Sequence, residues 1–139
     1  MNSPKPKTPL PSVATENWGD WKWHMRNRIR NEADLCAYLD PTDQEKEAIE
    51  ATKGVFQWSV TPYYASLMDA TDTACPIRRQ VIPLPEEMQF DSIGLEDPLE
   101  EVAHSPVKNL IHNYPDRVAF CVTSQCAIYC RYCLRKRMV

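Results

Sequence analysis

The residues of this 139-residue chain best suited to chemistry are three cysteines near its end. Cys126, Cys130 and Cys133 stand in the stretch "CAIYCRYCLRKRMV" with C-x3-C-x2-C spacing. Thiols this close can hold a metal, pair as disulfides, or sit together without a shared task. A structural zinc site is normally closed by four ligands, often in two pairs, and this loop offers three. The fourth would have to be Cys121 or a distant histidine. Cys121 falls inside a run that reads as a strand, where a cysteine behaves as a small apolar core residue. Cys36 and Cys75 are isolated and read the same way. His24, His104 and His112 are solitary and read as surface or packing residues. An iron–sulfur cluster suits three thiolates in one tight loop better than zinc does. Three ligands on a four-iron cluster leave one iron open to a substrate.

Other parts of the chain must position such a loop, and composition limits what they can be. Lys and Arg number 16 against 19 Asp and Glu, a net charge of −3. That balance gives no argument for nucleic acid or an anionic membrane as partner. No apolar run approaches the ~20 residues of a membrane span, and "MNSPKPKTPLPSVATEN" lacks the apolar core of a secretory signal. Six cysteines without an export signal read as thiols in a reducing cytoplasm. Twelve Pro and three Gly, against about seven and about ten at average usage, describe helices joined by Pro-punctuated connections, with little sheet.

The first fifteen residues hold little that can be buried and read as a flexible Pro-rich arm. From Asn17, Trp18, Trp21, Met25 and Ile29 recur at helical spacing and suggest one apolar face, with Arg26, Arg28 and Arg30 opposite. A second helix is expected over Asp34–Leu39, ending near Pro41. Thr42 and Glu45 have capping-box spacing and open a third, closed by Lys53 and Gly54. Thr61-Pro62 caps a short helix in "PYYASLMD", and Pro76 starts another in "PIRRQVI". Residues 83–106, acidic and Pro-containing, read as an extended, mostly loop connection. "RVAFCVT", after the turn-like "NYPD", is the one convincing strand, and the cysteine loop follows it.

A three-cysteine loop after the first strand of an α/β unit resembles the radical S-adenosylmethionine superfamily. The blocks "NWGDWKWHMRNRI", "TPYYASLMD", "PIRRQVIP", "EDPLEE", "SPVKNLIHNYPDRV" and "TSQCAIYCRYCLRKR" together resemble lysine 2,3-aminomutase and its relatives, from about Asn17 to Met138. The resemblance implies an α/β fold, a partial barrel of radical S-adenosylmethionine type. This chain would supply a mostly α part of it, divided into the arm (1–15), a helical region (16–116) and the barrel's first strand with the cluster loop (117–139). It implies an isomerase that moves an amino group between adjacent carbons of an amino acid, with a 4Fe–4S cluster, S-adenosylmethionine and pyridoxal 5'-phosphate as cofactors. Cys126, Cys130 and Cys133 match the cluster ligands. Tyr132 matches the residue facing the adenine, and Arg135 an arginine that pairs with the substrate carboxylate. Tyr114 and Arg117 lie in "HNYPDR", similar to a segment that helps hold pyridoxal phosphate. Asn113 stands there in place of an Arg, and Cys75 stands where relatives carry Asp. Lys136 and Arg137 read as a solvated basic tail.

The substrate implied is lysine, glutamate or a lysine on elongation factor P, in a cytoplasmic, homo-oligomeric enzyme. The family's remaining strands, its glycine-rich S-adenosylmethionine contacts and its Schiff-base lysine do not occur here. The expectation is therefore an N-terminal piece, inactive alone. The rival readings are a non-catalytic helical interaction module and, more weakly, a small zinc-binding protein.

Overall fold

Side chains that satisfy the free N–H groups of a first turn decide where the helices of this chain begin. The computed structural model describes residues 15–53, 57–89 and 94–139. After a 3-10 turn at Thr15–Asn17, α1 spans Trp21–Arg26, capped by the Asp20 carboxylate. Asn31 caps α2, Glu32–Leu35. Thr42 and Glu45 form the expected reciprocal capping box at the head of α3, Asp43–Thr52. Thr61 caps α4, Pro62–Ser66, and Pro76 opens α5, Pro76–Arg79. A sixth short helix, α6, spans Glu86–Gln89. The sheet is an antiparallel hairpin of β1, Leu110–Tyr114, and β2, Arg117–Phe120, joined across Pro115-Asp116. The regular structure of the described residues is thus mostly helical, as expected, with one two-stranded sheet, and no helix among them is long and apolar enough to cross a membrane.

The core lies under the helices. Ile29, Leu35, Leu39, Ile49, Trp58, Val60, Ala65, Met68, Val81 and Ile82 form one buried cluster, with Tyr38, Tyr64, Ile77 and Ile128 packed on it. Val60 is its hub. It makes antiparallel bridges to Ile29 on one side and to Ile128, from the cysteine loop, on the other. A second, polar hub holds the helices together. Arg78, 1 % exposed, forms an ion pair with the buried Glu45 carboxylate. Its other N–H groups donate to the carbonyls of Asp69, Ala70 and Asp40.

Several expectations need correction. Residues 17–29 are not one helix with Trp21 on its inner face. The helix stops at Arg26, Trp21 is exposed, and Ile29 is buried as a bridge residue instead. The residue that α1 buries is His24. Tyr63 N–H donates to its Nδ1 (3.3 Å), so Nε2 carries the proton and donates to the Trp18 carbonyl (2.8 Å). Trp18, Trp23 and Tyr63 surround the ring. The second helix starts two residues earlier and ends four earlier than expected, because Asn31 offers a better cap. Residues 83–106 are not all extended, since α6 and a turn organised by Asp97 lie in them. "RVAFCVT" is strand only to Phe120, and its partner β1 was not foreseen. Cys75 is buried as expected, but Cys36 is exposed and Cys121 half-buried. The arm up to residue 14, Gly54 as helix stop, and residues 90–93 lie outside the described residues.

Candidate functional site

The cysteine loop is fastened to the helical body at its first cysteine and within each gap between its cysteines. Arg28 Nη1 donates to the Cys126 carbonyl (2.9 Å). Between Cys126 and Cys130, Thr61 N–H donates to the Ala127 carbonyl (3.0 Å) and Tyr129 N–H to the Ser59 carbonyl (2.9 Å). These bonds flank the Val60–Ile128 bridge, so residues 127–129 run as a short strip against 59–61. Between Cys130 and Cys133, Arg131 N–H donates to the Gln80 carbonyl (2.8 Å). The Arg131 side chain grips the Glu87 carboxylate of α6, with Nε donating to both oxygens at 3.0 and 2.9 Å. The loop's last turn closes with Cys133 N–H donating to the Cys130 carbonyl (3.2 Å).

All three thiols are free and half-buried. Among the described residues, no three His, Cys, Asp or Glu side chains are gathered into a group that could hold a metal ion. The donor chemistry fits a thiolate-bound cluster, because three free thiols share a loop whose backbone is anchored between them. The thiols themselves do not converge.

Tyr132, one residue before Cys133, is exposed. Its hydroxyl and that of Tyr64 both donate to Gln80 Oε1, at 3.3 and 2.9 Å. A hydrogen bond with Cys130, and then the charge of that group, push the Tyr132 phenol above its ordinary range. Burial, then Tyr132 and Cys130, raise Tyr64 likewise. Tyr64, Gln80, Tyr132 and Cys130 therefore form one contiguous polar patch.

Arg135 is half-exposed, and Glu101 holds it. Its Nη2 lies 2.7 Å from Glu101 Oε1, and its Nε donates to the same oxygen at 3.0 Å. Glu101 is itself only 1 % exposed. Arg137 is no solvated tail residue. It donates to Glu101 Oε2 (3.0 Å) and pairs with Asp97 Oδ1 (2.8 Å). Lys136 is also half-buried, and burial, then the nearby Arg131 charge, lower its ammonium below the ordinary lysine value. The basic tail folds back because two carboxylates, Asp97 and Glu101, await it. Burial works against the charged form of Asp97, but N–H donors from Val102 and Glu101 and the Arg137 charge prevail and hold it below the usual carboxylate range.

Tyr114 and Arg117 come together at the hairpin turn. The Arg117 guanidinium lies 5.2 Å from the centre of the Tyr114 ring, and Arg117 Nε donates to Asp116 (2.9 Å). Both side chains are exposed. Asn113 donates to the Leu99 carbonyl (3.2 Å).

Glu101, Glu87, Arg131 and Arg28 are the supporting residues that sequence reasoning missed. One signal was present for Glu101. Asp97-Pro98 repeats the cap-then-proline pattern of Thr61-Pro62, and Asp97 does accept from the N–H groups of Glu101 and Val102 (3.0 and 2.8 Å). The left-handed backbone of Glu100, φ 51°, stops a helix from following.

No known family model matches the chain. Over 125 residues, 90% of its length, it is 46% identical to the L-lysine 2,3-aminomutase of Bacillus subtilis and covers 26% of that protein. It is 43% identical over 131 residues to the L-lysine 2,3-aminomutase of Methanococcus maripaludis, covering 92% of this chain and 30% of that protein. It is 37% identical over 124 residues to the glutamate 2,3-aminomutase of Clostridioides difficile, covering 89% of this chain and 29% of that protein. The chain thus spans about a quarter to a third of the length of these relatives. Identity at this level, over about nine-tenths of the chain, shows that the chain belongs to the lysine 2,3-aminomutase family.

Proposed function

We propose that this chain carries the cluster loop of a radical S-adenosylmethionine aminomutase acting on an amino acid. The observation that carries the reading is the anchored loop with its three free thiols, in a chain whose relatives are named lysine and glutamate 2,3-aminomutase. Cys126, Cys130 and Cys133 would hold the 4Fe–4S cluster. When bound, the cluster with S-adenosylmethionine would supply radical chemistry, and pyridoxal phosphate would carry the migrating amino nitrogen. The division proposed is a helical region to residue 116 and the start of a partial α/β barrel over 117–139.

The chain's own residues have positioning tasks. Val60, Arg28, Gln80 and Glu87 fix the loop backbone, so that the thiols are presented from a held strip rather than a free tail. Tyr132, tied to Gln80 beside Cys130, would form the wall against the adenine. Arg135 would bind the substrate carboxylate with its planar, two-pronged guanidinium, and buried Glu101 would keep it aimed. Tyr114 and Arg117, paired at the hairpin turn, would help hold the phosphate of pyridoxal phosphate. The substrate is free lysine or glutamate, or a lysine on elongation factor P, in a cytoplasmic enzyme.

The test is formation of β-lysine or β-glutamate by the anaerobically purified complete gene product, supplied with iron, sulfide, S-adenosylmethionine and pyridoxal phosphate. Product is expected, and none from a Cys126→Ala control. Iron-loaded protein that converts neither amino acid would contradict the reading for free substrates. The 139 residues alone are expected to be inactive, since a two-stranded hairpin encloses no barrel interior.

A further inference from the structure

We propose that a pocket between residues 28–30, 53 and 57–59 binds a phosphate group, either free or carried by a small molecule. The cavity has a volume of about 340 Å³. Among the described residues, Arg28, Arg30 and Lys53 line it, and no carboxylate does. Lys53 is paired with Glu50. Among the described residues, neither Arg28 nor Arg30 forms an ion pair.

Two buried polar side-chain atoms have no hydrogen-bond partner among the described residues, Arg28 Nε and Ser59 Oγ, and both residues line this pocket. Ser59 is 1 % exposed. Buried polar groups are almost always paired, so two orphaned donors on one cavity show where an acceptor is missing. Further donors stand at the exposed rim, on Arg30, Lys53 and Gln57. They come from separate stretches of chain, so the cationic lining is not confined to one element. A carboxylate offers two oxygens in one plane. A phosphate offers three or more oxygens spread tetrahedrally and a charge approaching −2, which answers two guanidinium groups that form no ion pair among the described residues.

The pocket also touches the cysteine loop. Arg28 donates to the Cys126 carbonyl, and Tyr129, another lining residue, donates its N–H to the Ser59 carbonyl. A ligand engaging Arg28 Nε and Ser59 Oγ would stiffen two of the anchors on which the loop rests. The inference does not depend on the aminomutase reading.

The test is calorimetric titration of the 139-residue chain at low ionic strength with inorganic phosphate, glycerol 3-phosphate and succinate. Saturable phosphate binding is expected, roughly tenfold weaker in Arg28→Gln and in Ser59→Ala. Arg30→Gln and Lys53→Gln should weaken it further from the rim. Ser59→Ala removes only a hydroxyl without a partner, so its melting temperature should not fall. That variant separates lost binding from lost fold. Tighter binding of glycerol 3-phosphate would mark a phosphorylated small molecule as the ligand, and equal binding would mark phosphate itself. Absence of saturable binding, affinities unchanged by Arg28→Gln and Ser59→Ala, or succinate binding as tightly as phosphate would each overturn the assignment.

Discussion

Arg78→Leu strikes the point where the helical body is tied together. Arg78 is 1 % and Glu45 3 % exposed. Their ion pair is doubly bonded, Nε to Oε1 at 2.8 Å and Nη2 to Oε2 at 2.6 Å. The remaining N–H groups reach carbonyls of Asp69, Ala70 and Asp40, so the guanidinium joins the head of α3 to the chain before it and to the loop before α5. Truncating Arg78 leaves the buried Glu45 carboxylate without its counter-charge and takes one donor from each of three carbonyls, which costs about 3–5 kcal/mol. At about 3–5 °C per kcal/mol for a chain of this size, the melting temperature should fall by about 10–20 °C. Much of that loss comes from leaving Glu45 unpaired, so Arg78→Leu combined with Glu45→Leu should cost less than the sum of the single changes, by about 2 kcal/mol. The loss of the Thr42–Glu45 capping box occurs in both Glu45 variants and cancels in the comparison. Urea unfolding of the four proteins, followed by tryptophan fluorescence, measures the coupling. Additivity to within about 0.5 kcal/mol would refute the claim that the pair acts as one buried unit.

Burial opposes the charged form of Glu45, but hydrogen bonds from Arg78 and Thr42 and the Arg78 charge outweigh it and lower its pKa. Its stabilisation should therefore be complete above the ordinary unfolded value of about 4.3 and fade as pH falls through the lower folded value, a loss that Glu45→Gln should not show in acid unfolding curves. Arg131→Ala should loosen the cysteine loop without unfolding the body, seen as faster amide exchange at residues 127–133 with unchanged protection in α3. His24→Ala should cost about 2 kcal/mol in thermal unfolding, because it empties an aromatic-lined site and leaves the Tyr63 N–H and the Trp18 carbonyl unpaired. In the complete enzyme, Arg135→Lys should raise KM roughly tenfold or more through loss of two-pronged carboxylate binding; an unchanged KM would rule out that role.

Local chemistry in this chain was legible from sequence, and long-range pairing was not. The Thr42–Glu45 box and the Thr61-Pro62 start were readable because both partners lie within four residues. α6 was hidden because its reach-back bond, Leu84 N–H to Glu87 Oε1, uses a residue with no capping side chain. β1 was missed because "LIHNY" shows a strand pattern only once β2 lies against it, and four of its five residues are not fully buried. The inner face of α1 was misassigned because His24 outcompetes Trp21 for burial, having a partner for each ring nitrogen. At the site, the C-x3-C-x2-C spacing drew attention to the three cysteines, while Arg131–Glu87, Arg28–Cys126 and the Glu101 pairs join residues at least 34 positions apart. The same separation hid the fate of Arg137, which a run of basic residues presents as solvated.

Iron and acid-labile sulfide content after anaerobic reconstitution of the 139-residue chain, with visible absorbance, tests the central claim most directly. About four irons and four sulfides per chain are expected, lost on replacing any one of Cys126, Cys130 or Cys133 by Ala and retained on replacing Cys36, Cys75 or Cys121. Preferential binding of zinc, or a requirement for Cys121 equal to that for the other three, would contradict the account and replace the open cluster loop with a closed four-thiolate site.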